Sequence, residues 1–562
     1  MSPRVQGCPR KPCCASHTCE HFERNSNASS KSTHYLIDVH DRCCDHCGAR
    51  RPASGHLAAS RPPGSGRLLH AEKPIKGQYI VILDGTILPG QVPGIATNLS
   101  IRHGGRLRRV MNSAANGFSV ELNEQQALQL ANEPGVALVE ENGYAELADN
   151  VSQAQTTVST ILRRPKISPN DSVNVGQNNA CETGSGVLVY VVDTGVNRDH
   201  TQFSVGGGTK VLNGVDFADD RDVYNNPVAY PYPGESDDKG TWPCGGFTGD
   251  MAESDPARTL NGGHGTGVAS LIAGNTWGVA PGAQIVPVKV GSCPPADHFL
   301  YPNAPQQIVI TTESICWGLD WIRSTNNPYR DQHQLGGQPA VVNMSIFKRP
   351  GIDYYIDSME YVINGLVLDN YDPAGGNRPA WNGITVVVSA NNQDTDAATT
   401  SPARMAYNNI ASCPNAYCSP GHVVSVGATR NNTTRWDCAN TAFDTCSPND
   451  PGSNYGFPGY YYGTTPPTLV TGAVDIYAPG HDMTAASISN SVSYRVTYTA
   501  RSGTSFAAPV VTGVVALLLQ QQPTLKPPQV WDWLNNHAAT LANTGDPLGI
   551  GPIKFVQAPF CW

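Results

Sequence analysis

From residue 186 onward the chain repeats one pattern: a short apolar run almost free of charge, then an apolar stretch of helical length. The short runs are Val187–Val192, Ile285–Val290, Ala340–Met344, Ile384–Ser389 and Val423–Val426; the longer ones are Val268–Ala273, Ser314–Ile322 and Phe506–Leu519. A strand with one face in water alternates apolar and polar residues, whereas these runs do not, so both of their faces must be covered. Helices interleaved with such strands supply that cover, and the expected architecture is α/β, with a mainly parallel central sheet and helices on both faces.

Composition agrees with a loop-rich globular chain. Charged residues make up 15% of 562, with 56 glycines and 44 prolines, against about 25% charged in ordinary proteins. The net charge of −9 argues against whole-chain nucleic-acid binding, which needs clustered Lys and Arg. No uninterrupted apolar run reaches the roughly 18 residues of a spanning helix, the nearest being Phe506–Leu519. Neither nucleic acid nor membrane is an expected partner.

Three regions differ in character. Residues 1–75 carry 11 basic against 6 acidic groups, seven cysteines, and His17, His21, His40 and His46. They read as a disordered extension, which a mistaken start in place of a true leader would explain; a zinc module is the alternative, although the spacings match no paired C-x₂-C framework. Residues 76–148 read as a small α+β unit, with strands at Gln78–Leu83, Gly117–Leu122 and Val136–Glu140 and a helix over Asn123–Asn132. The third region, residues 149–562, holds the α/β pattern.

Three turns in that region carry chemistry. The strand Gly186–Val192 runs into Asp193-Thr194-Gly195, setting a carboxylate at the edge where α/β sheets bind ligands. Next, Asn261-Gly-Gly-His264-Gly-Thr-Gly267 opens an apolar helix with an imidazole at its start. Gly503-Thr504-Ser505 opens the longest apolar helix, placing a hydroxyl and free backbone N–H groups at its positive end. Each alone is a capping turn. Together, in the order Asp, His, Ser, they supply orienter, base and nucleophile. An aspartic protease would need a second Asp-Thr-Gly, and Asp444-Thr445 is followed by Cys446.

These blocks resemble the subtilisin-like serine proteases, particularly the proteinase K type. Asp193–Phe203 is similar to the family's aspartate block, Gly263–Gly274 to its histidine block and Gly503–Gly513 to its serine block; Val387–Asn392, aligned on Ser401-Pro402-Ala403, is similar to the strand bearing the oxyanion asparagine. The resemblance implies a subtilisin-like three-layer fold and a serine endopeptidase with Asp193, His264 and Ser505 as triad and Asn392 in the oxyanion hole. It implies an inhibitor-type propeptide at 76–148, removed by self-cleavage between Ala148 and Gln155. A catalytically silent homologue that only binds peptide or protein is the alternative.

Ser345, Ile346, Phe347, Ala390 and Asn391 fall where the family binds substrate. Phe347-Lys348 stands where two glycines usually follow, and Asn391 where a glycine precedes the asparagine. The added side chains predict a narrow S1 pocket that prefers Ala, Ser or Gly, unless the backbone shifts and turns Phe347 away. Phe506 and Val510, at positions where the family commonly has Met and His, read as core packing. Residues 297–313 replace a short loop that helps bind substrate beyond S1.

Catalysis of this type needs no cofactor. The acidic run from Asp219 to Asp255 reads as a solvated loop, with structural calcium as the alternative. Nine cysteines follow residue 150, so one stays unpaired; Cys413/Cys418 and Cys438/Cys446 look like local disulfides. With Asn-x-Ser/Thr acceptors at Asn150, Asn170 and Asn431, they indicate an oxidising, secretory route. The expected protein is a secreted monomer acting on protein or peptide substrates, with its own propeptide as inhibitor.

Overall fold

The computed structural model describes residues 67–147, 182–218, 263–292, 309–330, 337–349, 357–368, 381–406, 423–430, 434–437, 452–456, 459–461, 468–470, 472–481, 483–487, 497–543 and 552–558. Most of 1–75, the acidic run, the three glycosylation acceptors and every cysteine but Cys316 lie outside them.

Seven strands and helices make the amino-terminal unit: β1 (Arg67–Leu69), β2 (Pro74–Leu83), α1 (Val92–Arg102), β3 (Arg106–Met111), β4 (Gly117–Glu121), α2 (Glu124–Ala131) and β5 (Val136–Leu147). Asn123 caps α2, its side chain accepting the Gln126 N–H at 2.9 Å while Gln126 Oε1 accepts the Asn123 N–H, the reciprocal box that the sequence position calls for. Alternation along β2 splits its side chains. Tyr79, Val81 and Leu83 pack under α1 and α2, and Ile80 and Ile82 turn to the opposite face, into a core shared with the larger region.

In the larger region the sheet is built on β6 (Leu188–Asp193), followed in the chain by α3 (His264–Ala273), β7 (Gln284–Lys289), β8 (Val309–Thr311), α4 (Thr312–Arg323), β9 (Ala340–Met344) and β10 (Ile346–Phe347). Then come α5 (Ser358–Val367), β11 (Thr385–Ser389), β12 (Val423–Arg430), β13 (Ile476–Pro479), α6 (Thr504–Gln521) and α7 (Pro527–His537). The order β13-β12-β11-β9-β6-β7 is parallel throughout, within a sheet of ten strands closed at one end by the antiparallel pair Ala539–Leu541 and Ile553–Phe555.

The unbroken apolar run of β6 has a direct explanation. Val189 and Val191 face a core made with α3, α6 and α7; Leu188, Tyr190 and Val192 face a second core made with α4 and α5. The mainly parallel three-layer fold is therefore as expected. Helix α6 is long and apolar enough to cross a membrane, and it is 89% buried in this core.

Candidate active site

Asp193 ends β6 at the carboxyl edge of the sheet and is fully buried. Its Oδ1 accepts the Thr194 N–H at 2.7 Å, and the Thr194 hydroxyl accepts the Gly265 N–H at 3.0 Å. His264 is the first residue of α3 and is also fully buried. Its Nδ1 lies 2.8 and 3.0 Å from the two carboxylate oxygens of Asp193. The carboxylate therefore accepts the Nδ1–H, which leaves Nε2 as the basic nitrogen. Gly265 is required here: a Cβ would come 2.1 Å from the Gly195 carbonyl oxygen.

Ser505 is the second residue of α6 and is fully buried. Its Oγ donates to the Ser345 carbonyl at 3.4 Å, a weak contact by length. In return the Ser345 hydroxyl donates to the Ser505 carbonyl at 3.0 Å. The strand after β9 and the helix start are thus clasped together.

Asn392 follows β11. Its Oδ1 accepts both the Thr504 N–H at 2.8 Å and the Thr504 hydroxyl at 2.9 Å. That fixes the amide orientation, so Nδ2 must point the other way, and this nitrogen is buried with no partner among the described residues. A buried donor without an acceptor is costly, and such donors in a preorganised site are what a developing oxyanion requires. Thr504 was not among the expected site residues; its place directly before Ser505 was the available signal.

Asn391 has a left-handed backbone, φ 81°, which is why a glycine suits this position and why asparagine is the substitute best tolerated. Its Oδ1 accepts the Asn392 N–H at 2.6 Å, its own N–H donates to the Thr504 hydroxyl at 3.0 Å, and its carbonyl accepts the Asn454 N–H at 2.7 Å. Ala390 is buried, its N–H bonded to the Val426 carbonyl at 3.0 Å. Phe506 is core, as expected, and its ring also meets the His264 ring edge-on at 5.4 Å.

Strand β10 brings Ile346 and Phe347, both buried, beside this group. It pairs antiparallel with the end of β5, Ile346 opposite Leu147 and Phe347 opposite Glu146. On the other edge of β5, Ile310 and Thr311 of β8 stand opposite Ala145 and Tyr144. The amino-terminal unit therefore lays its last strand between two edge strands of the larger region, and Val309–Thr311 is the part of the lengthened loop that does the pairing.

The same unit is anchored on α4 and α5. Arg108 donates to the Glu313 carboxylate at 2.9 and 3.2 Å, and the Ser119 hydroxyl bonds it as well. Burial alone would raise the Glu313 carboxyl, but Arg108 and Arg109 outweigh it and hold the pKa below the ordinary value. Asp320 Oδ1 accepts the N–H groups of Ser113, Ala114 and Ala115 at 2.9, 2.6 and 3.3 Å. Glu140 accepts the Ser358 N–H at the start of α5 at 2.7 Å and pairs with buried Lys348, which also meets Asp357 at 3.3 Å.

Among the described residues no His, Cys, Asp or Glu cluster of three or more could hold a metal. Cys316 is a free, buried thiol, its pKa raised by burial.

A carboxylate–imidazole pair at the carboxyl edge of an α/β sheet, with the imidazole packed on Phe506 and Ser505 preceding that residue at the helix start, is the arrangement expected of a serine-type hydrolase. Residues 184–551 match the model of the subtilase family (peptidase S8), and residues 95–148 match peptidase inhibitor I9. Among curated relatives, an extracellular serine proteinase of Thermus sp. (strain Rt41A) is 28% identical over 482 residues, covering 82% of this chain and 85% of the relative. The alkaline serine exoprotease A of Vibrio alginolyticus is 24% identical over 435 residues, covering 77% of this chain and 57% of the relative. A crystal structure of fervidolysin from Fervidobacterium pennivorans, a keratinolytic enzyme related to subtilisin, superposes with a TM-score of 0.50 at 19% identity, over 89% of this chain and 62% of that one. The chain belongs to the subtilase family, with an inhibitor I9 prodomain ahead of the peptidase domain. It is a serine-type endopeptidase.

Proposed function

We propose that this protease is made as a self-processing zymogen and works through an acyl-enzyme on Asp193, His264 and Ser505. His264 Nε2 takes the Ser505 proton as Oγ attacks the scissile carbonyl, while Asp193 holds the tautomer and stabilises the imidazolium. The negative oxygen of the tetrahedral intermediate is held by Asn392 Nδ2 and the Ser505 N–H. The leaving amine takes the proton back from His264, and water then repeats the sequence on the acyl-enzyme. Subtilase chemistry needs no catalytic cofactor; calcium held by the acidic run would be structural.

One observation carries this reading: Glu146 and Leu147 lie in antiparallel register on β10, one residue from the Ser345 carbonyl that the Ser505 hydroxyl contacts. Polypeptide is thereby presented to the nucleophile. Leu147 is the last described residue of this strand, and the proposed cut is Ala148–Asp149, the first bond of the expected 148–155 window. Ala148 as the residue before the cut suits a narrow S1 pocket, with buried Phe347 and Asn391 in its walls beside Ser345, Ile346 and Ala390.

The domain division is read as 1–75, 76–148 and 149–562. The relatives named extracellular support a secreted protein, and a monomer with protein or peptide substrates is the expected form. The test is N-terminal sequencing of the processed enzyme together with a P1 library of short peptides. An N-terminus at Asp149 and preference for Ala, Ser or Gly support the reading; cleavage chiefly after Phe, Tyr or Leu would sink the narrow pocket.

A further inference from the structure

Lys210 is buried, at 7% exposure, with no carboxylate paired to it among the described residues. Lysine is almost never buried without a partner, because the ammonium loses its water. Its Nζ instead donates to three neutral oxygens: the Ala273 carbonyl at 3.0 Å, Asn275 Oδ1 at 2.6 Å and the Pro281 carbonyl. Burial without an anion pushes its pKa down to about 8, so dipoles alone hold the charge.

These oxygens sit at the foot of α3, the helix that starts with His264. A helix leaves its last four carbonyls without intrahelical partners. Here Ser270 accepts from Gly274, Leu271 from Val279 and Ile272 from Ala280, all through backbone N–H groups. The Ala273 carbonyl is the one closed by Lys210, and a cation is what the negative end of the helix dipole favours. Asn275 links the site outward, its Nδ2 donating to the Thr201 and Ser204 carbonyls at 3.3 and 2.8 Å. Lys210 itself is pinned through its backbone, its N–H to the Phe203 carbonyl and its carbonyl to the Ile285 N–H.

We infer that the foot of this helix is a three-oxygen ammonium site filled by the chain's own Lys210, which makes Lys210 a positioning residue for His264. The inference rests on His264 acting as the base. The helix is a rod of about 15 Å at 1.5 Å per residue, so movement at its foot is delivered to the imidazole. At the other end Gly265 has no slack, its missing Cβ lying 2.1 Å from the Gly195 oxygen. A misplacement near 1 Å costs up to a hundredfold in rate.

The test is Lys210→Ala in the full chain, processed and assayed on a short peptide, with Tm measured alongside kcat and KM. Ammonium and methylammonium salts are titrated in, with tetramethylammonium and calcium at matched ionic strength as controls. The inference expects a lower Tm and a kcat down roughly ten- to a hundredfold at constant KM. Ammonium restores both, and tetramethylammonium and calcium restore neither. Rescue of Tm without kcat, equal rescue by tetramethylammonium, better rescue by calcium, or no rescue overturns it. Lys210→Met keeps the stem and fills the site; it must lower kcat without responding to ammonium, and an unchanged kcat overturns the inference even where the alanine variant does not fold. Because Tm is read independently of turnover, failure of the ammonium site is distinguishable from failure of the triad reading.

Discussion

Thr504 holds Asn392 by two donors at once, its backbone N–H and its hydroxyl reaching the same Oδ1 at 2.8 and 2.9 Å. In the proposed mechanism the residue beside the nucleophile thus aims the oxyanion amide, and helix α6 organises both halves of the reaction. Removing one oxyanion donor in the related site of subtilisin lowers kcat by about 10²–10³. Asn392→Leu is expected to lose that much in kcat with little change in KM. Thr504→Val removes one of the two ties and is expected to lose roughly tenfold, with Thr504→Ser restoring it; steady-state kinetics of the four proteins check this.

Prodomain affinity is expected to depend on a close approach far from the cleft. A Cβ at Gly365 would lie 1.9 Å from the Ala114 carbonyl oxygen, in the turn that Asp320 holds by three N–H groups. Gly365→Ala in the mature enzyme is expected to weaken inhibition by added prodomain at least tenfold, with kcat/KM on a short peptide unchanged. Equal inhibition constants for the two enzymes would refute it.

Glu140→Ala in the added prodomain leaves Lys348 and the Ser358 N–H without their carboxylate. Breaking one side of a buried, hydrogen-bonded charge pair costs about 2–5 kcal/mol, so inhibition is expected to weaken by roughly thirtyfold or more. Lys348 keeps Asp357 as partner in the free enzyme, and the folded peptidase is therefore expected to be unaffected. Titrating both prodomains against the mature enzyme measures the difference.

Asp475 sets a pH dependence of stability. Its oxygens accept the Ser425 N–H and the Trp531 indole N–H, both at 2.9 Å. Burial nevertheless pushes its pKa up to about 7, from an ordinary 3.8. The folded state thus binds a proton that the unfolded chain has released. Its stabilising contribution is complete below pH 3.8 and is lost as pH rises through about 7. In the inactive Ser505→Ala protein, Tm is expected to carry a falling component over that window, which Asp475→Asn abolishes; identical pH profiles would contradict it.

The parallel sheet was legible because strands buried on both faces leave unbroken apolar runs, as β6 does. The proposed triad positions stand out in the sequence because close packing forces small residues around them, Gly265 above all. Strand β5 was read as ending at Glu140, yet it continues to Leu147. The reason is that Glu140 and Asn142 look solvated in sequence and in fact meet helix starts of the peptidase. Helix α1 and strand β3 were not read at all: the first opens on Val92-Pro93-Gly94, and the second, Arg106–Met111, is dominated by arginines engaged with Glu121 and Glu313. Asn391 was read only as a wall of the pocket, since backbone handedness is invisible in a single sequence.

The most direct measurement is the intact mass and N-terminus of the full chain and of Ser505→Ala, expressed in parallel in a secretory host. The account predicts a wild-type chain cut after Ala148 and a folded Ser505→Ala chain with that bond intact. Cleavage of both at the same bond, or of neither, would contradict it.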